Sequence, residues 1–216
     1  GESTRHGAEL AAREINDAGG IEAEDGTIYR VRVMLEEAAN SREASDAITR
    51  LSVIGADVII GFNQNSLIPS ALPEHSAPIL VMSSGADGTL WGASPLIFGA
   101  RANDATLAEA AARFAIEERE ASALAVVVAR AEYGYAAEDG VMAALDGDDT
   151  DAELALSLDH DAQSLDFSDI AAQIADQDPD AVIVWNAPAA LDALLSALAA
   201  ENWRGDVIYG AALTGV

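Results

Sequence analysis

The chain has 216 residues, half of them hydrophobic, 5% aromatic, and a formal net charge of −26 from 37 acidic and 11 basic side chains. That length can bury a sizeable core, and a surface this negative repels phosphate backbones, which disfavours nucleic acid as a partner. No apolar run approaches the roughly 18 residues that cross a bilayer, and the absence of cysteine removes disulfides, thiolate metal sites and thiol nucleophiles.

Taken in chain order, the first predicted element is a helix at 4–17. Ala8, Ala11, Ala12 and Ile15 share one stripe, and Gly19-Gly20 is suited to the left-handed turn that ends it. A strand at 28–35 follows, with Tyr29, Val31, Val33 and Leu35 alternating with Arg30, Arg32 and Met34. The apolar runs at 57–61, 79–83, 95–99, 123–129, 153–158, 181–185 and 206–209 read as further strands, several of the kind covered on both faces of a parallel sheet. Helices are expected at 42–54, 66–74, 103–118, 135–145, 167–176 and 189–200. Alternating helix and strand predict an α/β fold with parallel, doubly wound sheets.

In such sheets ligands sit beyond the carboxyl ends of the strands. The strand at 57–61 delivers Asn65 and Ser66 to a helix start, where free N–H groups suit a carboxylate and where the same residues can equally cap the helix. The strand at 79–83 delivers Ser83, Ser84, Gly85 and Ala86, either a ligand cradle or a plain turn. Tyr133 follows the strand at 123–129. Trp185 and Asn186 stand at the end of the strand at 181–185, with Trp185 readable as a stacking wall or as core. Asp87 and Glu132 are carboxylates near these ends, and Arg101 sits at an expected crossover.

Enzymatic constellations do not assemble from these residues. His6, His75 and His160 are dispersed, and there is no Gly-x-Ser-x-Gly elbow, phosphate loop or dinucleotide fingerprint. Asp146-Gly147-Asp148-Asp149-Thr150-Asp151 departs from a calcium loop in ligand alternation, glycine position and terminal glutamate, and reads as a solvated turn. No metal or cofactor is implied.

Several motifs occur in a telling order: Gly7-Ala8-Glu9-Leu10-Ala11, Ile15-Asn16, Gly19-Gly20, Gly61 with Ser66, Pro78-Ile79 before Ser83-Ser84-Gly85-Ala86, Glu132-Tyr133-Gly134, Asp166-Phe167-Ser168, and Asp178-Pro179-Asp180-Ala181-Val182. The set resembles the extracytoplasmic solute-binding proteins of branched-chain amino acid type, which have the two-lobed type I periplasmic-binding-protein fold. The resemblance implies lobe 1 at 1–101 and lobe 2 at 102–216, both incomplete. The family has a strand before the first helix and a long stretch after the point reached by Val216. It further implies a non-enzymatic subunit of an ABC importer that closes over a small polar organic ligand (an amino acid, amide or carboxylate) and docks on permease membrane subunits. Receptors and regulators share the fold and form the alternative. Relatives often have Thr where this chain has Ala86, an aromatic near Ala187, and an acid near Ala212 that pairs with the ligand ammonium. Their absence here weakens an α-amino acid as ligand. Every basic residue is arginine, which together with the acidity fits either a halophilic source or codon bias.

Overall fold

The computed structural model describes residues 2–61, 80–83, 96–147 and 150–210. The predicted helix at 66–74 lies outside them. The chain divides into two compact units, one ending at Arg101 and the other running from Ala102.

In the first unit α1 (Glu2–Asp17) stops at Gly19 and Gly20, whose φ of 115° and 96° lie where L side chains are strained. A Cβ on Gly20 would also stand 2.4 Å from the Tyr29 carbonyl oxygen. That closeness lets β1 (Ile21–Glu22) and β2 (Ile28–Tyr29) pair as an antiparallel hairpin, an element absent from the sequence reading. The predicted strand at 28–35 is therefore reduced to its first two residues. At Val31 the backbone N–H and C=O are both taken by the Asn16 side chain, each at 2.9 Å, which leaves this residue nothing to offer a ladder.

A capping arrangement opens α2 (Ser41–Val53). The Asn40 Oδ1 accepts from the Glu43 N–H at 3.0 Å while Glu43 Oε2 accepts from the Ala39 N–H. Ala44, Ala47 and Ile48 form its buried face. Three short parallel strands complete the unit: β3 (Val58–Gly61), β4 (Leu80–Ser83) and β5 (Ile97–Gly99), in the order β3-β4-β5.

The second unit is doubly wound. Its elements are α3 (Asp104–Arg119), β6 (Ala123–Ala129), α4 (Glu132–Leu145), β7 (Glu153–His160), α5 (Ser168–Gln177), β8 (Ala181–Trp185), α6 (Pro188–Ala200) and β9 (Asp206–Tyr209). All four strands are parallel in the order β7-β6-β8-β9. Alternation along β6 and β8 feeds two cores. Leu124, Val126, Val128, Ala181, Ile183 and Trp185 pack under α3 and α4, while Ala125, Val127, Val182 and Val184 pack under α5 and α6 with Phe167 and Trp203. Small residues set the spacing of the first layer. Ala108, Ala112 and Ala115 are the buried stripe of α3, and a Cβ on Gly140 of α4 would lie 2.1 Å from the Ala105 carbonyl oxygen.

At the amino ends of the strands, Asp180 ties two turns together. Its Oδ2 accepts from the N–H groups of Ser122 and Ala123 and from the Ser122 hydroxyl, all within 2.9 Å. The opposite, carboxyl ends of β6, β8 and β9 are thus presented as one edge of a well-anchored sheet.

Candidate functional site

The carboxyl ends of β6, β8 and β9 collect an aromatic and polar group within the second unit. Tyr133 occupies the first turn of α4, directly after β6, and is 37% exposed. Its helix starts this close to the sheet because Gly134 has no side chain: a Cβ there would lie 2.0 Å from the Ala129 carbonyl oxygen. Burial, and after it the Asp104 carboxylate, hold the Tyr133 phenol above its ordinary pKa.

Asp104 itself is the first residue of α3 and is 8% exposed. Its Oδ1 accepts the Trp185 indole N–H at 3.1 Å. A carboxylate at a helix amino terminus is favoured by the helix dipole, so this buried charge has two sources of support. Trp185 is wholly buried, and its ring rests against Gly210, where a Cβ would come within 1.8 Å of a ring carbon. The ring is core packing, not an open stacking wall, and its contribution to the strand ends is to hold Asp104.

Asn186 follows Trp185 and is 2% exposed. Its carbonyl oxygen accepts the Tyr209 hydroxyl at 2.7 Å, which locks the turn between β8 and α6. Neither Nδ2 nor Oδ1 of its side chain has a hydrogen-bond partner among the described residues. The Tyr209 phenol is also raised, by burial first and then by Tyr133. Asp104, Tyr133, Tyr209 and Asn186 are consequently linked through contacts and mutual electrostatic influence.

The remaining sequence-predicted residues divide in two. Ser83 is the last residue of β4 in the first unit, in register with Gly61 and Gly99. Asn65, Ser66, Ser84, Gly85, Ala86 and Ala212 lie outside the described residues. Two residues that sequence reasoning missed are Asp104 and Tyr209. Tyr209 ends a strand that had been predicted, so an inventory of strand ends carried to its last residue finds it. Asp104 had only the signature of a helix start, and its bond to Trp185 spans 81 positions.

His160, two residues beyond the strand predicted at 153–158, is the last residue of β7. It is buried, its Nδ1 stands 2.8 Å from the Asp161 carbonyl oxygen, and its ring meets Phe167 edge-on at 4.7 Å. Beside it the exposed pair Arg130 and Asp159 closes at 2.7 Å. Among the described residues no three His, Asp or Glu side chains converge as a metal site, and no helix is long and apolar enough to cross a membrane.

Comparison with known proteins identifies the family and the fold. The profile of the family described as periplasmic binding protein matches residues 1–215. No curated protein sequence is significantly similar. Among solved structures, the branched-chain amino acid transporter substrate-binding protein LivJ from Streptococcus pneumoniae, in complex with isoleucine, is 17% identical with a TM-score of 0.75. The match covers 97% of this chain and 59% of that one. A solute-binding protein of an ABC transporter from Rhodopseudomonas palustris, in complex with 3,4-dihydroxybenzoic acid, is 17% identical with a TM-score of 0.67, over 96% and 57%. The leucine-, isoleucine-, valine-, threonine- and alanine-binding protein from Brucella ovis is 18% identical with a TM-score of 0.72, over 94% and 54%. The chain thus spans little more than half the length of these structures, and at such identity they establish the fold and not the ligand.

Proposed function

Because the chain belongs to the periplasmic binding protein family, we propose that it is the solute-binding part of an extracytoplasmic ABC importer subunit. On this reading it takes a small polar organic ligand and delivers it to permease membrane subunits. The observation that supports it is the gathering of Tyr133, Tyr209, Asn186 and the buried Asp104 at the carboxyl ends of parallel strands, where open α/β sheets hold ligands. On the sequence alone, Ser66 and Ser84 are further proposed contacts, their hydroxyls able to donate to an anionic or carbonyl group. Among the described residues, no nucleophile–base pair is seen at the strand ends of the second unit.

Thermal-shift screening of the protein against amino acids, amides and carboxylates tests this. A ligand should raise the unfolding midpoint, and Ser66→Ala and Tyr133→Ala should each weaken its binding by about tenfold, the loss expected of one good hydrogen bond or aromatic contact. If both variants bound that ligand as tightly as the parent protein, the site would lie elsewhere.

A further inference from the structure

Asn186 carries an inference about which chemical class the site selects. Its side chain combines three properties rarely found together. It sits just past the carboxyl end of a central strand, it is 2% exposed, and both of its polar atoms are unpartnered among the described residues. Buried amides are almost always hydrogen-bonded, because an unpaired donor or acceptor away from water is costly. The surrounding backbone is already committed, since the Asn186 carbonyl accepts the Tyr209 hydroxyl. The side chain has no part in that bond.

We infer that Asn186 recognises a carboxamide group of the bound solute, which deepens and rests on the solute-binding reading above. An asparagine side chain presents one acceptor edge and one donor edge in a single plane. An ammonium ligand would satisfy Oδ1 and leave Nδ2 unpaired. A carboxylate would satisfy Nδ2 and leave Oδ1 facing another acceptor. A carboxamide, which carries C=O and N–H side by side, meets both at once.

The charges nearby point the same way. Trp185, adjacent in the chain, holds the buried Asp104 carboxylate, whose charge also reaches Tyr133. A second carboxylate at this end of the sheet would be opposed by that like charge. The Tyr133 phenol, partly exposed and shifted upward in pKa by burial, can donate its proton to a carbonyl oxygen without adding charge, whereas the Tyr209 hydroxyl is already committed to the Asn186 carbonyl. A site that offers a neutral phenol donor and one two-edged amide discriminates strongly against ligands that lack a matching edge.

The test is calorimetry with three matched probes on the full-length protein: isobutyramide, isobutyrate and isoleucine. Isobutyramide should bind about tenfold or more tightly than isobutyrate. Asn186→Asp, which keeps the shape and removes the donor edge, should cut isobutyramide affinity by about tenfold, with the circular dichroism spectrum unchanged. Asn186→Leu serves as a second variant and should abolish the preference for amide over acid. If isoleucine or isobutyrate bound and isobutyramide did not, or if Asn186→Asp left amide affinity intact, the carboxamide assignment would fall while solute binding stood. Silence from all three probes with folded protein would overturn both.

Discussion

Gly210 and Trp185 show how one position fixes another across the second unit. A methyl group on Gly210 would press to 1.8 Å from the indole ring, and the ring cannot retreat because it is buried and bonded to Asp104. Gly210→Ala should therefore cost about 1–3 kcal/mol by overpacking and lower the melting midpoint by several degrees. Gly147→Ala, where the added carbon meets only the Ala144 carbonyl oxygen at 3.5 Å, should leave it unchanged. Asp180 gives a second residue-scale expectation. Hydrogen bonds from the Ser122 and Ala123 N–H groups hold its carboxyl below the usual range. A depressed folded-state value means that the stability it contributes is complete above its unfolded value of about 4 and disappears as pH falls through the lower one. Acid titration by circular dichroism should show Asp180→Asn less stable than the parent at neutral pH, with the difference narrowing below about pH 4. A difference independent of pH would mean that the carboxylate charge contributes nothing. At this scale the position of Tyr133 and Asn186 just past the ends of β6 and β8 was legible in the sequence, because strand-like runs mark the residues that follow them. The sequence concealed the bond between Asp104 and Trp185, since no local pattern couples residues so far apart.

Between the two units the elements differ in how completely they were foreseen, and the difference is physical. The runs at 123–129 and 181–185 are apolar without interruption because helices cover both faces, and they became β6 and β8 with the predicted bounds. Alternation at 28–35 reports only that a strand would be amphipathic if it had a partner. There the Asn16 side chain takes the Val31 backbone groups, and Leu35 and Ile28 are more than half exposed. Hydrogen exchange resolves these cases. Amides of β6 and β8 should exchange only through global or near-global opening, whereas those of residues 32–38, outside any strand, should exchange orders of magnitude faster. Equal protection in the two segments would show that 28–35 is a paired strand in solution after all.

At the scale of the whole molecule, charge sets the dependence on solvent. With 37 carboxylates against 11 arginines, pairing every cation still leaves an excess of 26 negative charges, and these repel one another most when the chain is compact. The ion pairs seen, such as Arg50 with Glu36, Arg113 with Glu109 and Arg119 with Asp206, lie on the surface, where each is worth about 0–1 kcal/mol. Added salt therefore removes little attraction and much repulsion. The Debye length shrinks from about 8 Å at physiological ionic strength to about 3 Å near 1 M. The melting midpoint should accordingly rise between about 0.1 and 3 M KCl, most steeply over the first molar, where screening changes fastest. A rise of this kind would support a protein adapted to brine. A flat or falling midpoint would leave codon bias as the reason that arginine stands at every basic position.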